Sequence, residues 1–404
     1  MLLAFAGARH SAIGLALPTL VLVALAAVAS PIVAEAARRI VVVPEAIIQI
    51  AFGVVLGPDV LDVARVEPVV SALSTLGLSY LMFLAGSEID LHQIRLASSA
   101  RVVVGWLVSL AMALGAALAL QSWGLIDHAT TVALCLTTTA LTTLIPALRD
   151  TGVFATPLGS RLLTLGAVGE FGPIVVATIL LSTSSAGLTS LLTLGFVGVA
   201  VAAGVLANRV RPPRAILFLR RHLHSTSQLP VRLSLLLVLA LTYFAQALGL
   251  DVLMGSFAAG IVVQVIIAGD DRAAVTSKLD AIGYGFLVPI FFVVSGVAFD
   301  LTALFAKARN LLLVPIFLVL LLVVRGLPAF ALNRRDLPRR QRISLALYAA
   351  TSLPLIVAIT EIGVAQGRLG PENAAALVAA GAASVFLFPV IGLRVTATRR
   401  RPPR

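Results

Sequence analysis

One carboxylate, Glu170, stands near the middle of Thr156–Leu181 (TPLGSRLLTLGAVGEFGPIVVATILL), a run apolar and long enough to cross a bilayer. A charge at that depth costs at least about 2.5–3.5 kcal/mol on insertion scales, so an intramembrane acid is read first as a functional site. Burial disfavours the charged form of a carboxylate, and oxygen ligands around one carboxylate suit a dehydrated monovalent cation. Protons and cations then compete for one group, and that competition is enough for antiport. A second charge, Arg325, lies in LLLVVRGLPAF. Three roles fit it: pairing with Glu170, compensating the charge of helix ends, or snorkelling toward Arg334 and Arg335.

Hydroxyl clusters next to prolines give the carboxylate its expected surroundings. Thr137, Thr138, Thr139, Thr142 and Thr143 precede Pro146, and Thr351 and Ser352 precede Pro354. Proline removes a backbone donor, and in a membrane the carbonyls it frees must find partners, for which hydroxyls are available. These stretches are therefore expected to be interrupted helices. Thr137, Thr142, Thr351 and Pro354 mark the breaks, while Thr138, Thr139 and Ser352 join Glu170 as cation- and proton-binding groups. The bland alternative is that each hydroxyl bonds back to its own helix.

The elements that must position these residues are transmembrane helices. Of the 404 residues, 59% are hydrophobic and 12% charged, about half the charge of a soluble domain. Thirteen apolar segments follow one another, with the second (Pro44–Gly57) and ninth (Val252–Ala268) short for a span. Of the 30 basic residues, 24 fall in loops on one side and 5 on the other. That asymmetry puts the N-terminus outside and the C-terminus in the cytoplasm, and supports an odd number of spans. A cleaved signal peptide ending near VASPIVAEA would invert every later loop, so the first segment is read as a span. The net charge of +12 is thus a topology signal, and no nucleic-acid partner is expected.

The chain also repeats itself. LMFLAGSEIDL (Leu81–Leu91) aligns with FFVVSGVAFDL (Phe291–Leu301) at an offset of 210, matching Gly86 to Gly296 and Asp90 to Asp300. Gly53 and Gly260 correspond in the segments just before. Matched segments cross in opposite directions, which is an inverted repeat of the kind that places a transport site at the midplane. The chain then divides into a first six-helix repeat (1–185), a connecting helix (186–206), a basic cytoplasmic linker (207–232), a second inverted repeat (233–393) and a basic tail (394–404). The lone Cys135 excludes an intrachain disulfide framework. The five histidines fall in loops, and no nucleophile motif, metal cluster or phosphate loop argues for an enzyme or a cofactor.

PEAIIQIAFGVVLGP (Pro44–Pro58), LMFLAGSEIDL, TGVFATPLGSRLL (Thr151–Leu163), MGSFAAGIVV (Met254–Val263) and PIFFVVSGVAFDL (Pro289–Leu301) together resemble the monovalent cation:proton antiporter-2 family, which includes bacterial sodium/proton exchangers and Kef-type potassium/proton systems. The resemblance implies an all-α fold of about thirteen helices, two inverted six-helix repeats with crossed discontinuous helices. It also implies a homodimer in a cell membrane, a bacterial inner membrane being expected. It sets Glu170 at the cation- and proton-binding carboxylate, Gly169 where other members carry Asp, Asn or Gln, and Arg325 at the family's basic position, for charge compensation. A single carboxylate implies electroneutral exchange of one proton for one Na+ or K+. No G-x-G-x-x-G follows a strand pattern, so gating by a dinucleotide in this chain is not expected; a separate regulatory subunit is compatible with the sequence. The alternative reading is a channel or symporter for an organic or anionic solute on the same fold.

Overall fold

The computed structural model describes residues 2–37, 43–88, 99–141, 144, 153, 156–181, 195, 198, 202, 228–248, 252–266 and 272–397. Regular structure among the described residues is helical throughout, as expected where the backbone has no water to pair with. Among the same residues, eight helices are long and apolar enough to cross a membrane, and Glu45–Leu56, Val231–Ala247 and Val252–Gln264 are shorter apolar helices. The second and ninth segments are thus short helices, as their sequences implied. Most of the connecting segment (186–206) and of the basic linker (207–232), with Thr142, Thr143 and Pro146, lie outside the described residues.

The chain forms two compact units that each draw on both halves of the sequence: Met1–Ala29, Gln49–Asp90 and Thr178–Ala298 in the first, Ser30–Ile48, Leu91–Ala177 and Phe299–Arg404 in the second. In the first unit, α1 (Leu2–Ala37), α2 (Glu45–Leu56) and α3 (Pro68–Glu88) contribute to the core with α10 (Val288–Val297). Ala16, Val23, Val70, Ile290, Val293 and Val294 form that core. Helices α7 (Leu229–Ala247), α8 (Val252–Ile266) and α9 (Arg272–Ile282) also belong to the unit. The apolar run here starts only near Ile282, but the helix begins ten residues earlier, at Arg272. Arg272, Lys278 and Asp280 depress the hydropathy of α9 without breaking its helix, which runs through a π turn at Gly283–Leu287 into α10.

Two helix crossings in this unit require glycine. A Cβ on Gly53 would overlap the Val293 carbonyl oxygen and lie 2.7 Å from Gly296 Cα; one on Gly296 would overlap the Ile50 carbonyl oxygen. A Cβ on Gly86 would overlap the Phe257 carbonyl oxygen, and one on Gly260 that of Phe83. Each glycine meets a carbonyl three residues before its partner. The sequence repeat pairs Gly53 with Gly260 and Gly86 with Gly296, so it maps one crossing onto the other. Gly296→Ala is expected to cost about 1–3 kcal/mol through overpacking, read as a lower unfolding temperature of the detergent-solubilised protein. An unchanged temperature would mean that the helices part freely.

The second unit holds α4 (Ser99–Ser122), α5 (Ala129–Leu136), α6 (Pro157–Leu181), α11 (Leu301–Phe305), α12 (Ala308–Leu321), α13 (Leu327–Leu332), α14 (Arg339–Ala349), α15 (Pro354–Ala365) and α16 (Pro371–Ala397). A π turn at Leu322–Gly326 joins α12 to α13 and carries Arg325; such turns are frequent at functional sites. Leu141, Leu144, Leu158, Leu162, Leu165, Leu345 and Tyr348 belong to its core.

Candidate functional site

Both expected breaks are present in the second unit. Helix α5 ends at Leu136, and Thr138–Ala140 leave helical geometry before Leu141. Helix α14 ends at Ala349, Thr351–Leu353 are non-helical, and α15 begins with Pro354 as its first residue, where a missing N–H is no loss. The breaks are bonded to each other. Ala140 N donates to the Thr351 carbonyl at 2.8 Å, Thr139 Oγ1 donates to the Ala349 carbonyl at 2.7 Å, and the hydroxyls of Thr138 and Ser352 are hydrogen-bonded.

The hydroxyls divide into two groups. Thr137 Oγ1 donates to the Leu134 carbonyl at 2.8 Å and Thr351 Oγ1 to the Leu347 carbonyl at 3.1 Å. These two satisfy their own helices. Thr138, Thr139 and Ser352 reach across instead, although Thr138 also gives its hydrogen to the Cys135 carbonyl at 2.7 Å. With that hydrogen spent, Ser352 is the donor between the two hydroxyls. All five side chains are fully buried.

Helix α6 brings Glu170 to this crossing. Its Oε1 accepts from Leu141 N at 2.8 Å, and the preceding carbonyl, of Gly169, accepts from Thr139 N at 3.1 Å. The carboxylate therefore touches the first backbone donor past the break in α5. Glu170 is 4% exposed and Arg325 2% exposed, and they are the charged side chains buried among the described residues. Glu45, at the start of α2, is exposed and Glu361, in α15, is half-buried.

Arg325 does not snorkel. Its Nε and Nη2 donate to Thr139 Oγ1 at 3.0 and 2.7 Å. Thr139 in turn donates to the carbonyl of Ala349, the last residue of α14. The guanidinium thus acts through one hydroxyl on a helix C-terminus, where partial negative charge gathers. One donated and two accepted bonds leave the Thr139 oxygen fully occupied. Thr139, expected as a cation ligand, is hydrogen-bonded to Arg325 here. Gly169 belongs to the same arrangement. A Cβ there would overlap Arg325 Nη2 and lie 2.6 Å from Thr139 Oγ1. The room a side chain at 169 would take is filled by the guanidinium.

Sequence reading missed Ser384 of α16. Its Oγ accepts from Ser352 N at 3.0 Å and lies 3.0 Å from the Ser352 carbonyl and 2.7 Å from that of Gly381. It braces the second break. A lone serine in an apolar helix was the available signal. The roles of Ala349 as acceptor and Leu141 as donor are backbone properties that no residue type announces.

The family model for the sodium/hydrogen exchanger, transmembrane, matches residues 21–396. The chain belongs to the sodium/hydrogen exchanger family. Among exchanger relatives, the putative Na(+)/H(+) antiporter YjbQ of Bacillus subtilis is 26% identical over 92% of this chain and 62% of its own length. The probable Na(+)/H(+) antiporter GerT of Bacillus cereus is 26% identical over 83% of this chain and 88% of its own. The exchanger fold is also that of the sodium proton antiporter MjNhaP1 of Methanocaldococcus jannaschii, at 16% identity with a TM-score of 0.67, over 95% of this chain and 98% of that one. The chain is an all-α, multi-pass membrane protein built on two inverted repeats with crossed discontinuous helices.

Proposed function

We propose that this chain exchanges protons for a monovalent cation, Na+ or K+, by alternating access, with Glu170 as the group that binds each in turn. The observation that carries this reading is the buried Glu170 carboxylate bonded to Leu141 N at the crossing of two broken helices. Thr138 and Ser352 supply hydroxyl oxygens at the same crossing, and the unwound backbone supplies carbonyls. Relatives bear the matching names, including a Na(+)/H(+)-K(+) antiporter, GerN of Bacillus cereus, 25% identical over 64% of this chain. No observation favours an organic or anionic solute.

The charge count supports one-for-one exchange. Glu170 and Arg325 sum to zero when the site is empty. Binding a proton or a monovalent cation adds one charge in either case, and Arg325 stays charged because a guanidinium does not lose its proton in proteins. Both loaded forms carry the same charge, so the cycle moves none. We also propose the sequence-based topology, with the N-terminus outside and the C-terminus in the cytoplasm, the division at 185, 206, 232 and 393, and a homodimer in the cell membrane.

Proteoliposomes with an imposed pH gradient test the proposal. Adding Na+ or K+ is expected to collapse the gradient, while choline leaves it standing. The rate is expected to be the same with the membrane potential clamped at either sign. A rate that follows the potential would overturn the one-for-one count; no response to any alkali cation would overturn cation exchange itself.

A further inference from the structure

We propose that a cleft in the second unit, between α4, α6 and α13, binds the phosphate of an anionic phospholipid on Arg101 and Arg161. Arg101, Gly105, Arg161, Leu165, Leu332 and Asp336 line it, and Arg325 does so from its buried position. Glu170 is not among its lining residues, and the proposal does not depend on which ion is transported.

Two guanidiniums share one carboxylate at the mouth of this cleft, a surplus of positive charge. Arg101 Nη1 and Arg161 Nη2 approach the same oxygen, Asp336 Oδ2, at 3.0 and 3.3 Å. A guanidinium carries five N–H donors in a planar fork that matches phosphate oxygens in pairs, so a single shared oxygen engages a small part of what the two offer. The mouth is accessible: the side chains of Arg101, Arg161 and Asp336 are 48%, 24% and 24% exposed.

The surroundings select a lipid over a free phosphate. Val103, Val104 and Leu107 of α4 and Leu327 and Leu332 of α13 are exposed apolar side chains, a surface suited to acyl chains. A dissolved phosphate needs no such flank. Arg101, Arg161 and Arg334 through Arg342 fall in the loops that the sequence assigns to the positively charged face, and basic pockets between helices on that face suit anionic headgroups. Asp336 is the internal competitor that the phosphate displaces.

Native mass spectrometry of the full chain, purified in detergent and exposed to phosphatidylglycerol and phosphatidylcholine mixtures, tests this. The wild type is expected to retain phosphatidylglycerol in preference. Arg101→Gln/Arg161→Gln should weaken that preference about tenfold or more, the loss of at least one hydrogen bond to a charged group. Asp336→Asn should strengthen it, an opposite shift that misfolding does not produce. Equal retention of the two lipids by the wild type, or no change in the double-arginine variant, would overturn the proposal. So would displacement of the lipid by millimolar inorganic phosphate, which would make the ligand a free phosphate.

Discussion

Glu170→Gln is expected to reduce cation-dependent proton movement in proteoliposomes to the level of protein-free vesicles. Glutamine matches glutamate in size, and its carbonyl oxygen still accepts from Leu141 N, the contact that Glu170 Oε1 makes at 2.8 Å. The crossing of the breaks is made by other atoms, Ala140 N to the Thr351 carbonyl and Thr139 Oγ1 to that of Ala349, so it persists. Exchanging a bond to a charged acceptor for one to a neutral acceptor changes stability by about 1 kcal/mol. What the substitution removes is the group that takes up a proton or a cation. The variant should therefore fold, insert and keep its unfolding temperature within a few degrees while transport is lost. Residual exchange at more than a small fraction of the wild-type rate would move the ion site elsewhere and leave Glu170 as a structural acid.

Gly169→Ala is expected to have the second-largest effect, through Arg325 rather than through Glu170. The added carbon would overlap Arg325 Nη2 and lie 2.8 Å from Thr139 Cβ. Arg325 must then leave Thr139, giving up both donated bonds, or the helices must separate. Overpacking of this kind costs about 1–3 kcal/mol, and a displaced buried guanidinium adds to it, since breaking up a buried charge's contacts is strongly destabilising. Arg325→Ser opens the room, so Gly169→Ala/Arg325→Ser should cost clearly less than the two single changes summed. Coupling of that sign, measured on unfolding temperatures and on exchange rates, is the double-mutant signature of contact. Additive effects would show that the guanidinium and residue 169 do not share space. Gly169→Asp, which restores the acid expected from other members, meets the same overlap.

The sequence and the structure divide the site between them in a way that physical reasons explain. Thr142 lies outside the described residues, but Thr137, Thr138, Thr139, Thr351, Ser352 and Pro354 all fall at the two breaks. Those positions were legible because proline and clustered hydroxyls announce a helix interruption through local chemistry. The bland reading of the hydroxyls holds for Thr137 and Thr351, whose bonds stay within their own helices. Which hydroxyl crosses to the other break depends on side-chain direction and on the crossing itself, and neither is encoded in residue type. The same limit hid Ser384, whose neighbours in sequence give no hint that it bonds Ser352.

By itself the sequence determined that this is a polytopic helical membrane protein, because apolar length and loop charge respond directly to a bilayer. It determined the inverted repeat, whose paired glycines survive as symmetric crossings because two backbones in contact leave no room for a Cβ. It also singled out Glu170 and Arg325, since intramembrane charge is costly and therefore conspicuous. Only the tertiary structure shows what Arg325 touches. Pairing with Glu170, helix-end compensation and snorkelling were all open from LLLVVRGLPAF, and the contact the guanidinium makes is with Thr139, 186 residues away in sequence. It likewise decided why residue 169 is glycine, because that position is occupied from outside by a guanidinium from the other half of the chain, and such occupancy exists only once the two halves are packed.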